Sequence, residues 1–274
     1  MIRERRQRGA GMPTGGFEGA IFDVDGVLVD SPHEAAWKES LRELMEGPWA
    51  DVRDRSRWSD DRFTPEVYQR VMSGKPRMSG ALAGLEYFKV PDAEDRVETY
   101  AARKQELLIR LVEARRFRAY PDALRFVLAV RAAGIPTAAA SSSRNAGLFL
   151  RQIRLDTFAE EHGLTYDFVR PGLTLLDFFD ADMSGHDVAH GKPDPEIFLD
   201  AAAALAVAPD RCFVVEDAVS GIQAAKGGGM AALGVARADD EPLLTAANAD
   251  LVVTTLDEVD VPALSEHRLT SRSP

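Results

Sequence analysis

The sequence predicts a doubly wound α/β fold, a parallel β-sheet with helices on both faces, into which a second, helical unit is inserted. Five short apolar segments rich in Val, Ile and Ala recur along the chain with helical stretches between them. Such runs are typical of parallel strands that are buried on both faces. The stretch from 33 to about 115 breaks this alternation, because its apolar residues recur at helical spacing. The pattern therefore indicates a doubly wound core with a helical insertion after its first strand.

The five apolar segments are the predicted core strands. In chain order they are GAIFDVD (19–25), TAAASSS (137–143), CFVVED (212–217), AALGVA (231–236) and DLVVTTL (250–256). Residues between the strands mark where the intervening helices begin and end. Asp194 can cap a helix with Pro195 at its first position, and the glycines at 227–229 end a helix that begins near Ala218.

Apolar residues recur at helical spacing near both ends of the insertion. The residues that share this spacing are Trp37, Leu41, Leu44 and Met45 near the start, and Tyr100, Lys104, Leu107, Leu108, Leu111 and Val112 near the end. We divide the chain into a core at 17–32 and 116–262, a helical domain at 33–115, and tails at 1–16 and 263–274. The first tail is rich in Arg and continues into Gly, Pro and Thr, not into the apolar stretch of a signal peptide. We expect it to be disordered and the polar C-terminal tail to fray.

Composition excludes several classes of protein. The 274 residues are 45% hydrophobic and 28% charged, which is enough to bury a sizeable core and excludes disorder as the dominant state. The net charge of −11 argues against a nucleic-acid partner, although a bound divalent cation would still allow an anionic substrate. The single cysteine, Cys212, permits no internal disulfide and is more typical of core packing than of a nucleophile. No stretch approaches the roughly 18 apolar residues of a membrane span, so we expect a cytoplasmic protein without a membrane partner.

Two carboxylates follow the first predicted strand. Asp23 and Asp25 lie at its carboxyl end, where open α/β sheets bind ligands, and strand alternation points both to one side. Two like charges this close need a cation or a shared proton, so the pair indicates a metal site, a proton-transfer role or both. Taken alone, the pair is equally typical of an ordinary Asp-Gly turn, in which Gly26 lets the chain bend sharply.

Other element ends also carry reactive groups. The second predicted strand runs into Ser141, the third ends in Glu216 and Asp217, and Lys192 precedes a helix. Carboxylates from two strand ends can hold an octahedral Mg²⁺ that also accepts phosphate oxygens from a substrate. A hydroxyl and an ammonium group would complete a phosphate site. The pattern therefore predicts metal-dependent chemistry on a phosphate.

With these four positions the chain resembles the haloacid dehalogenase superfamily of phosphoryl-transfer enzymes. The matching segments are DVDGV for the first motif, Ser141 for the second, Lys192 in GKPDPEIF for the third and VVEDAVSGIQAAKGGGM for the fourth. The resemblance covers residues 17–256. It implies a Rossmann-like core and a helical cap domain that closes over the site, and 33–115 occupies the place of that cap.

The resemblance also implies a role for each motif residue. Asp23 would be the nucleophile that becomes an aspartyl phosphate, and Asp25 would be the general acid and base. Ser141 and Lys192 would hold the transferring phosphoryl oxygens. The implied Mg²⁺ ligands are the Asp23 side chain, the Asp25 backbone carbonyl and Asp217, with Glu216 in or beside this set.

Details of the cap are most similar to those of the β-phosphoglucomutase group. Asp30 and Ser31 end the first loop, His33 is followed four residues later by Trp37, and GKPR stands at 74–77. The residues that this resemblance assigns to substrate binding are His33, Trp37, Lys75, Arg77, Ser143, Arg144 and Asn145. An arginine fork suits a second phosphate. Two other interpretations stay open: a surface pair on a helix for His33 and Trp37, and a solvated turn for Lys75 to Arg77.

The chain departs from that group in two places. The loop between Asp30 and His33 is shorter than usual, and the connection between Phe158 and Lys192 is much longer, with an extra insertion at about 160–188. The insertion contains apolar residues that need burial, namely Leu173, Leu175, Leu176, Phe178 and Phe179. They are expected either to pack on the core near the site entrance or to form a self-association surface. We accordingly expect a monomer or a weak homo-oligomer.

The sequence thus predicts Mg²⁺-dependent phosphoryl transfer through an aspartyl phosphate, on a small phosphorylated metabolite such as a sugar phosphate. A phosphomutase of the β-phosphoglucomutase type is favoured, and a phosphatase is the alternative, because the two share the first half-reaction. A non-catalytic phosphate-binding module is a weaker alternative, since competent residues fill all four motifs. A dehalogenase is weaker too, because Asp25 and the acid pair at 216–217 suit metal-dependent phosphoryl transfer.

Overall fold

The computed structural model describes residues 15–186 and 188–272. The Arg-rich segment 1–14, for which the sequence predicts a disordered tail, lies outside the described residues, as do Asp187 and 273–274. Among the helices that the structure describes, none is long and apolar enough to cross a membrane.

The strands and helices are numbered in chain order. The strands are β1 (Gly19–Phe22), β2 (Val29–Asp30), β3 (Arg118–Ala119), β4 (Thr137–Ala139), β5 (Ala181–Asp182), β6 (Cys212–Glu216), β7 (Ala231–Val235) and β8 (Leu251–Val253). The α-helices are α1 (His33–Glu46), α2 (Ala50–Arg53), α3 (Pro65–Val71), α4 (Arg77–Tyr87), α5 (Ala93–Glu113), α6 (Pro121–Ala132), α7 (Ala146–Gln152), α8 (Leu155–Glu161), α9 (Leu175–Phe178), α10 (Glu196–Ala204), α11 (Val219–Gly227) and α12 (Glu241–Ala246). Short 3₁₀ helices lie at Asp60–Arg62, Pro209–Arg211, Leu256–Glu258 and Val261–Glu266.

Within the described residues, six strands form one parallel sheet in the order β5-β4-β1-β6-β7-β8. β1 lies inside the sheet, with Ala20 opposite Thr137 of β4 on one side and Phe213 of β6 on the other. The predicted doubly wound parallel fold is confirmed, and every predicted strand is present within its segment. β1 and β4 end at Phe22 and Ala139, so the polar ends of those two segments leave the sheet and are free to form a site.

The sequence does not predict β5, the edge strand of this sheet. β5 is only two residues long, and both of its residues are half-buried. It pairs with Ala138 and Ala139 of β4. An edge strand this short has no apolar run by which a buried strand is recognised.

The long connection that contains β5 packs on the core. Leu175, Phe178 and Phe179 are buried in the core cluster that also holds Phe22, and Leu173 and Leu176 pack against that cluster. Of the two fates predicted for these apolar residues, packing on the core is therefore the one observed. Near the end of the same connection, His186, Val188, Ala189 and Gly191 line the functional cavity.

Side-chain alternation along the strands builds a hydrophobic cluster on each face of the sheet. Ala20 and Phe22 of β1 face one cluster, and Ile21 faces the other. Cys212 lies fully buried in the second cluster, where a Cβ on Gly19 would come within 2.8 Å of its Sγ. Burial raises the pKa of the Cys212 thiol to about 12, as expected for a packing residue.

Helices α1 to α5, residues 33–113, surround a hydrophobic cluster of their own. Trp37, Phe63, Phe88 and Tyr100 belong to it, and α5 packs along both α1 and α4. The end of α5 leaves this cluster, since Leu108 packs in the core cluster. The two chain segments that enter and leave the helices pair as the antiparallel ribbon β2-β3. We call residues 33–113 the cap, because they cover the carboxyl ends of the core strands.

The prediction of a frayed tail from 263 onwards is wrong as far as 272. Ala263 and Leu264 are buried in the 3₁₀ helix Val261–Glu266. The Phe17 N–H donates to the Leu264 carbonyl at 2.8 Å, and the Phe17 ring stacks on His267 with centroids 4.1 Å apart. Arg272 then donates its N–H to the Glu258 carbonyl. Two apolar residues are enough to anchor an otherwise polar segment to the core.

The first tail is also shorter than predicted, because Gly15 and Gly16 lie against the core. Arg211 donates a hydrogen bond to the Gly15 carbonyl at 3.3 Å. A Cβ on Gly16 would lie 2.6 Å from the backbone of Ser265. The glycines can approach so closely because they lack a side chain.

Candidate active site

A cavity of about 760 Å³ lies between the carboxyl ends of β1, β4 and β6 and the cap. Every site residue predicted from the sequence lines it: Asp23, Asp25, His33, Trp37, Lys75, Arg77, Ser141, Ser143, Arg144, Asn145, Lys192, Glu216 and Asp217. Residues up to 194 positions apart in the chain therefore meet in one place. The individual roles of these residues stay predictions.

Lys192 is a buried residue of the cavity wall, where it lies between two carboxylates. Its Nζ donates to Asp23 Oδ1 at 2.5 Å and to Glu216 Oε1 at 2.6 Å. Asp23 is 5% exposed, Lys192 4% and Glu216 1%, so water does not screen the three charges. Asp23 directly follows β1 and Glu216 ends β6, and the pairing of these two adjacent strands puts both carboxylates beside the same lysine.

Electrostatics at this cluster favour a positive charge. Burial raises the pKa of Asp23, and Lys192 opposes that rise, while Glu216 and Asp25 add to it. Burial by itself would lower the pKa of Lys192, but Asp23 and Glu216 raise it above its ordinary value, so Lys192 remains an ammonium. Burial, Glu216 and Asp23 also raise the pKa of Asp217. The site therefore holds more carboxylates than one lysine can neutralise.

A divalent cation fits this donor set. Carboxylates of Asp23 and Asp217 offer only oxygen ligands, which Mg²⁺ prefers. Gly26 lies directly against Asp217: a Cβ there would come within 2.0 Å of Asp217 Oδ2, and the φ of Gly26 is +88°. A side chain at 26 would thus occupy the space of that carboxylate.

Glu216 is the least available of the four predicted metal ligands. Its Oε1 accepts from Lys192, and its Oε2 accepts from the N–H groups of Asp217 and Ala218, each at 2.9 Å. A Cβ on Gly221 would come within 1.8 Å of Oε1, which shows how tightly α11 holds this carboxylate. This arrangement suits a residue that positions Lys192 and the turn into α11.

Asp25 lies between the core and the cap. Its Oδ2 accepts from Ser141 Oγ at 3.2 Å, and its Oδ1 lies 3.3 Å from Nε2 of His33, the first residue of α1. Neither Asp25 Oδ1 nor His33 Nε2 has a hydrogen-bond partner among the described residues, and both atoms are buried. Such a pair of unsatisfied polar atoms is suited to a ligand hydroxyl or phosphate oxygen.

His33 is held neutral by its surroundings. Burial lowers the pKa of its imidazole to about 4, Lys104 contributes to that decrease, and Asp25 opposes it. Lys104 Nζ lies 2.9 Å from His33 Nδ1. When Lys104 is an ammonium group, which can only donate, Nδ1 is the acceptor and the ring proton lies on Nε2, on the side of Asp25.

Lys104 is a site residue that the sequence reasoning missed. Its spacing was used only to predict α5, and the structure shows it 3% exposed in the cavity wall. Its Nζ lies 4.8 Å from the centroid of the Trp37 ring. Burial lowers the pKa of Lys104 to about 7. Lys104 stands at a position of α5 where the helical spacing calls for an apolar residue. A charged residue at such a position is the sequence signal that could have identified it.

The cap residues predicted to bind substrate differ in how they face the cavity. His33 and Trp37 lie inside it, so the interpretation as a surface pair on a helix is wrong. Lys75 and Arg77 are exposed at its rim, and Lys75 Nζ donates back to the Val71 carbonyl at 2.7 Å. The interpretation of that segment as a solvated turn therefore stays open.

The loop after β4 forms the opposite wall. Ser143 donates its N–H to Ser141 Oγ at 3.1 Å, and Asn145 donates its N–H to Ser143 Oγ at 3.3 Å. Ser142 Oγ is buried without a hydrogen-bond partner among the described residues. Local hydrogen bonds of this kind hold a short polar loop in one conformation.

Arg237 was also not predicted as a site residue. Its guanidinium lies 4.0 Å from the centroid of the Tyr120 ring and donates to Asp122 Oδ2 at 2.8 Å. It also donates to the carbonyls of Gly26 at 3.4 Å and Val27 at 3.2 Å. Arg237 therefore supports the turn that follows Asp25.

The fold and this constellation define a haloacid dehalogenase-like hydrolase. A family model with that description matches residues 17–229, and the chain belongs to this family. The parallel six-stranded sheet and its flanking helices agree with the assignment.

Individual relatives add detail to this family assignment. The chain is 31% identical to a β-phosphoglucomutase of Mycobacterium bovis, over 93% of this chain and 96% of that protein. It is 30% identical to a phosphorylated carbohydrates phosphatase of Thermotoga maritima, over 78% of this chain and 82% of the relative. The crystal structure of an archaeal β-phosphoglucomutase from a Pyrococcus strain superimposes with a TM-score of 0.63 at 27% identity, and covers 90% of this chain and 96% of its own.

Proposed function

We propose that this protein is a Mg²⁺-dependent phosphomutase that moves a phosphoryl group within a sugar phosphate through an aspartyl phosphate at Asp23. The observation that carries the proposal is the position of Asp25. Its carboxylate lies between Ser141 of the core and His33 of the cap, so the acid and base of the reaction is covered when the cap is closed. A covered site favours transfer to a sugar hydroxyl over transfer to water.

In the first half-reaction Asp23 attacks the phosphorus of the substrate. Lys192 engages Oδ1 of Asp23, which leaves Oδ2 as the attacking oxygen. Ser141 and Lys192 hold the phosphoryl oxygens in line. Mg²⁺, bound by Asp23, the Asp25 carbonyl and Asp217, would neutralise the charge that spreads over those oxygens.

Asp25 then handles the proton of each half-reaction. It protonates the oxygen that leaves the phosphorus, and in the second half-reaction it accepts the proton of the sugar hydroxyl that attacks the phosphoenzyme. Ser141 donates to one oxygen of Asp25, and the other oxygen faces the Nε2–H of neutral His33. Ser141 thus fixes one oxygen of Asp25, and the other oxygen is left toward the cap.

The names of the relatives and the charge of the rim support a phosphorylated sugar as substrate. The mycobacterial relative is named a β-phosphoglucomutase and the Thermotoga relative a phosphatase of phosphorylated carbohydrates. Arg77 and Arg144 line the cavity at the cap and core sides, and guanidinium groups suit the phosphate that is not transferred.

Product analysis with hexose phosphates tests this function. The full chain is incubated with Mg²⁺, β-glucose 1-phosphate and a hexose bisphosphate activator, and both isomerisation and release of inorganic phosphate are followed. We expect isomerisation to exceed phosphate release by at least about tenfold, and we expect Asp23→Asn to abolish both. Rapid phosphate release without isomerisation would overturn the mutase proposal.

A sugar-phosphate phosphatase is the second candidate. It is favoured by the 30% identity to the Thermotoga phosphatase, nearly the identity to the mutase. In this case water takes the place of the sugar hydroxyl at Asp25. The same assay distinguishes the two, because a phosphatase releases phosphate at the rate at which it consumes substrate.

A further inference from the structure

Gln105 of α5 and Asn145 of the loop before α7 join the cap to the core by two reciprocal hydrogen bonds. Gln105 Nε2 donates to Asn145 Oδ1 at 2.8 Å, and Asn145 Nδ2 donates to Gln105 Oε1 at 3.1 Å. Asn145 is only 8% exposed, and Gln105 is half-buried. Two carboxamides paired in this way fix each other's rotation, because each must turn its N–H toward the carbonyl of the other.

We propose that Gln105 is a positioning residue, through which closure of the cap sets the orientation of the Asn145 carboxamide for the substrate. The proposal rests on the proposed function. Both side chains line the cavity. Each carboxamide uses one N–H and one acceptor site in the pair, so Asn145 retains a second N–H and a second acceptor site for a ligand.

The pair lies at the end of a run of hydrogen bonds that begins at the proposed acid and base. Ser141 Oγ donates to Asp25, Ser143 N–H donates to Ser141 Oγ, and Asn145 N–H donates to Ser143 Oγ. A change in the orientation of Asn145 therefore occurs within a loop that also supports Asp25.

α5 contacts both ends of this run through consecutive residues. Lys104 reaches His33, which faces Asp25, and Gln105 reaches Asn145. The position of α5 against the core therefore determines the surroundings of both Asp25 and Asn145. A second hydrogen bond between cap and core, from Gln69 Nε2 to the Asp217 carbonyl, is longer at 3.5 Å, so the amide pair is the better-formed contact.

A double-mutant cycle tests the proposal. Gln105→Leu keeps most of the side-chain volume and removes both hydrogen bonds, and it is compared with Asn145→Ala and with the double variant. We expect Gln105→Leu to raise KM about tenfold, the loss expected from two neutral hydrogen bonds, and to change kcat less than about twofold. In the Asn145→Ala background, Gln105→Leu should raise KM no further. Gln152→Leu, at the far end of α7, is the matched control and should leave KM unchanged.

Hydrogen exchange without ligand separates this proposal from the proposed function. We expect the backbone amides of 141–148 to exchange about tenfold faster in Gln105→Leu than in the wild type, because the cap no longer holds the loop. If no hexose phosphate is turned over by the wild type, the proposed function fails and hydrogen exchange alone decides the role of Gln105. Unchanged exchange, an unchanged KM, or additive KM effects in the double variant would each overturn the proposal.

Discussion

His33 Nε2 lies 3.3 Å from Asp25 Oδ1, and neither atom has a hydrogen-bond partner within the part of the chain that the structure describes. A buried donor or acceptor without a partner costs free energy. A ligand oxygen that accepts from Nε2 and donates to Oδ1 would satisfy both atoms at once. A ligand hydroxyl that binds beside these two atoms would therefore connect the cap to the proposed acid and base.

The protonation of His33 is the first prediction. Because its pKa is lowered to about 4, the ring should stay neutral between pH 8 and pH 5.5, and its NMR signals should not shift in that range. The signals are assigned by their loss in His33→Ala.

The lowered pKa of His33 also affects the free energy of unfolding. Between pH 6.5 and pH 4 the unfolded chain binds a proton at His33 that the folded chain does not, so stability decreases as the pH falls. A titration midpoint near 6.5 in the folded protein would contradict this prediction.

Lys104 should make stability increase with pH. Its pKa is lowered to about 7, so between pH 7 and its ordinary value of 10.5 the unfolded state binds more protons than the folded state. The free energy of unfolding should rise by up to about 1.4 kcal/mol per pH unit between pH 7 and pH 9. Lys104→Met should remove that rise. Urea unfolding at pH 7, 8 and 9 measures it, and parallel curves for the two proteins would refute the prediction.

Removal of the buried ammonium should be costly. Lys192→Met leaves the carboxylates of Asp23 and Glu216 buried without their cation, and we expect a loss of about 3–5 kcal/mol in the free energy of unfolding at pH 7 without added metal. The loss should grow between pH 7 and pH 9, because the pKa of Asp23 is raised to about 8 and removal of Lys192 raises it further, so the variant then has to ionise a buried carboxyl group without its cation. The matched control is Lys226→Met: the side chains of Lys226 and its partner Asp250 are 34% and 41% exposed, so water screens the pair and the change should cost less than about 1 kcal/mol. Equal losses in the two variants would show that burial of the Lys192 cluster has no energetic consequence.

Gly26→Ala should weaken the metal site. The new Cβ would displace the Asp217 carboxylate, and we expect Mg²⁺ affinity, measured by calorimetric titration, to fall about 10–100-fold. Gly134→Ala is the control, because Gly134 has a similar φ of +79° but nothing within 4 Å of its Cβ position. Both variants should lose about 1 kcal/mol of stability through backbone strain. Unchanged Mg²⁺ affinity in Gly26→Ala would exclude Asp217 as a ligand.

The site residues that the sequence could predict are those with a local pattern. Asp23, Asp25 and Glu216 stand at the ends of apolar runs, and a parallel sheet brings such ends together. Lys104 and Gln105 have no such pattern. They lie in a long helix whose periodicity shows which face is buried, but not that this face reaches the site.

Local composition was also misleading at the C-terminal end. The segment 263–272 reads as a polar tail, yet Leu264 is fully buried and its carbonyl accepts the N–H of Phe17. Burial of so few residues depends on a partner more than 240 positions away, which no sequence window contains.

The sequence by itself determined the doubly wound sheet, the helical insertion and the acidic ends of β1 and β6. Hydrophobic periodicity and strand-end chemistry are local properties, and a single chain displays them. The tertiary structure alone decided that Lys192 binds both Asp23 and Glu216, that burial and Lys104 keep His33 neutral, and that Gln105 pairs with Asn145. These contacts depend on how the cap sits on the core and on how deeply each charge is buried. Distance and desolvation are properties of the packed molecule, and they shift the pKa values of Asp23, His33, Lys104 and Lys192.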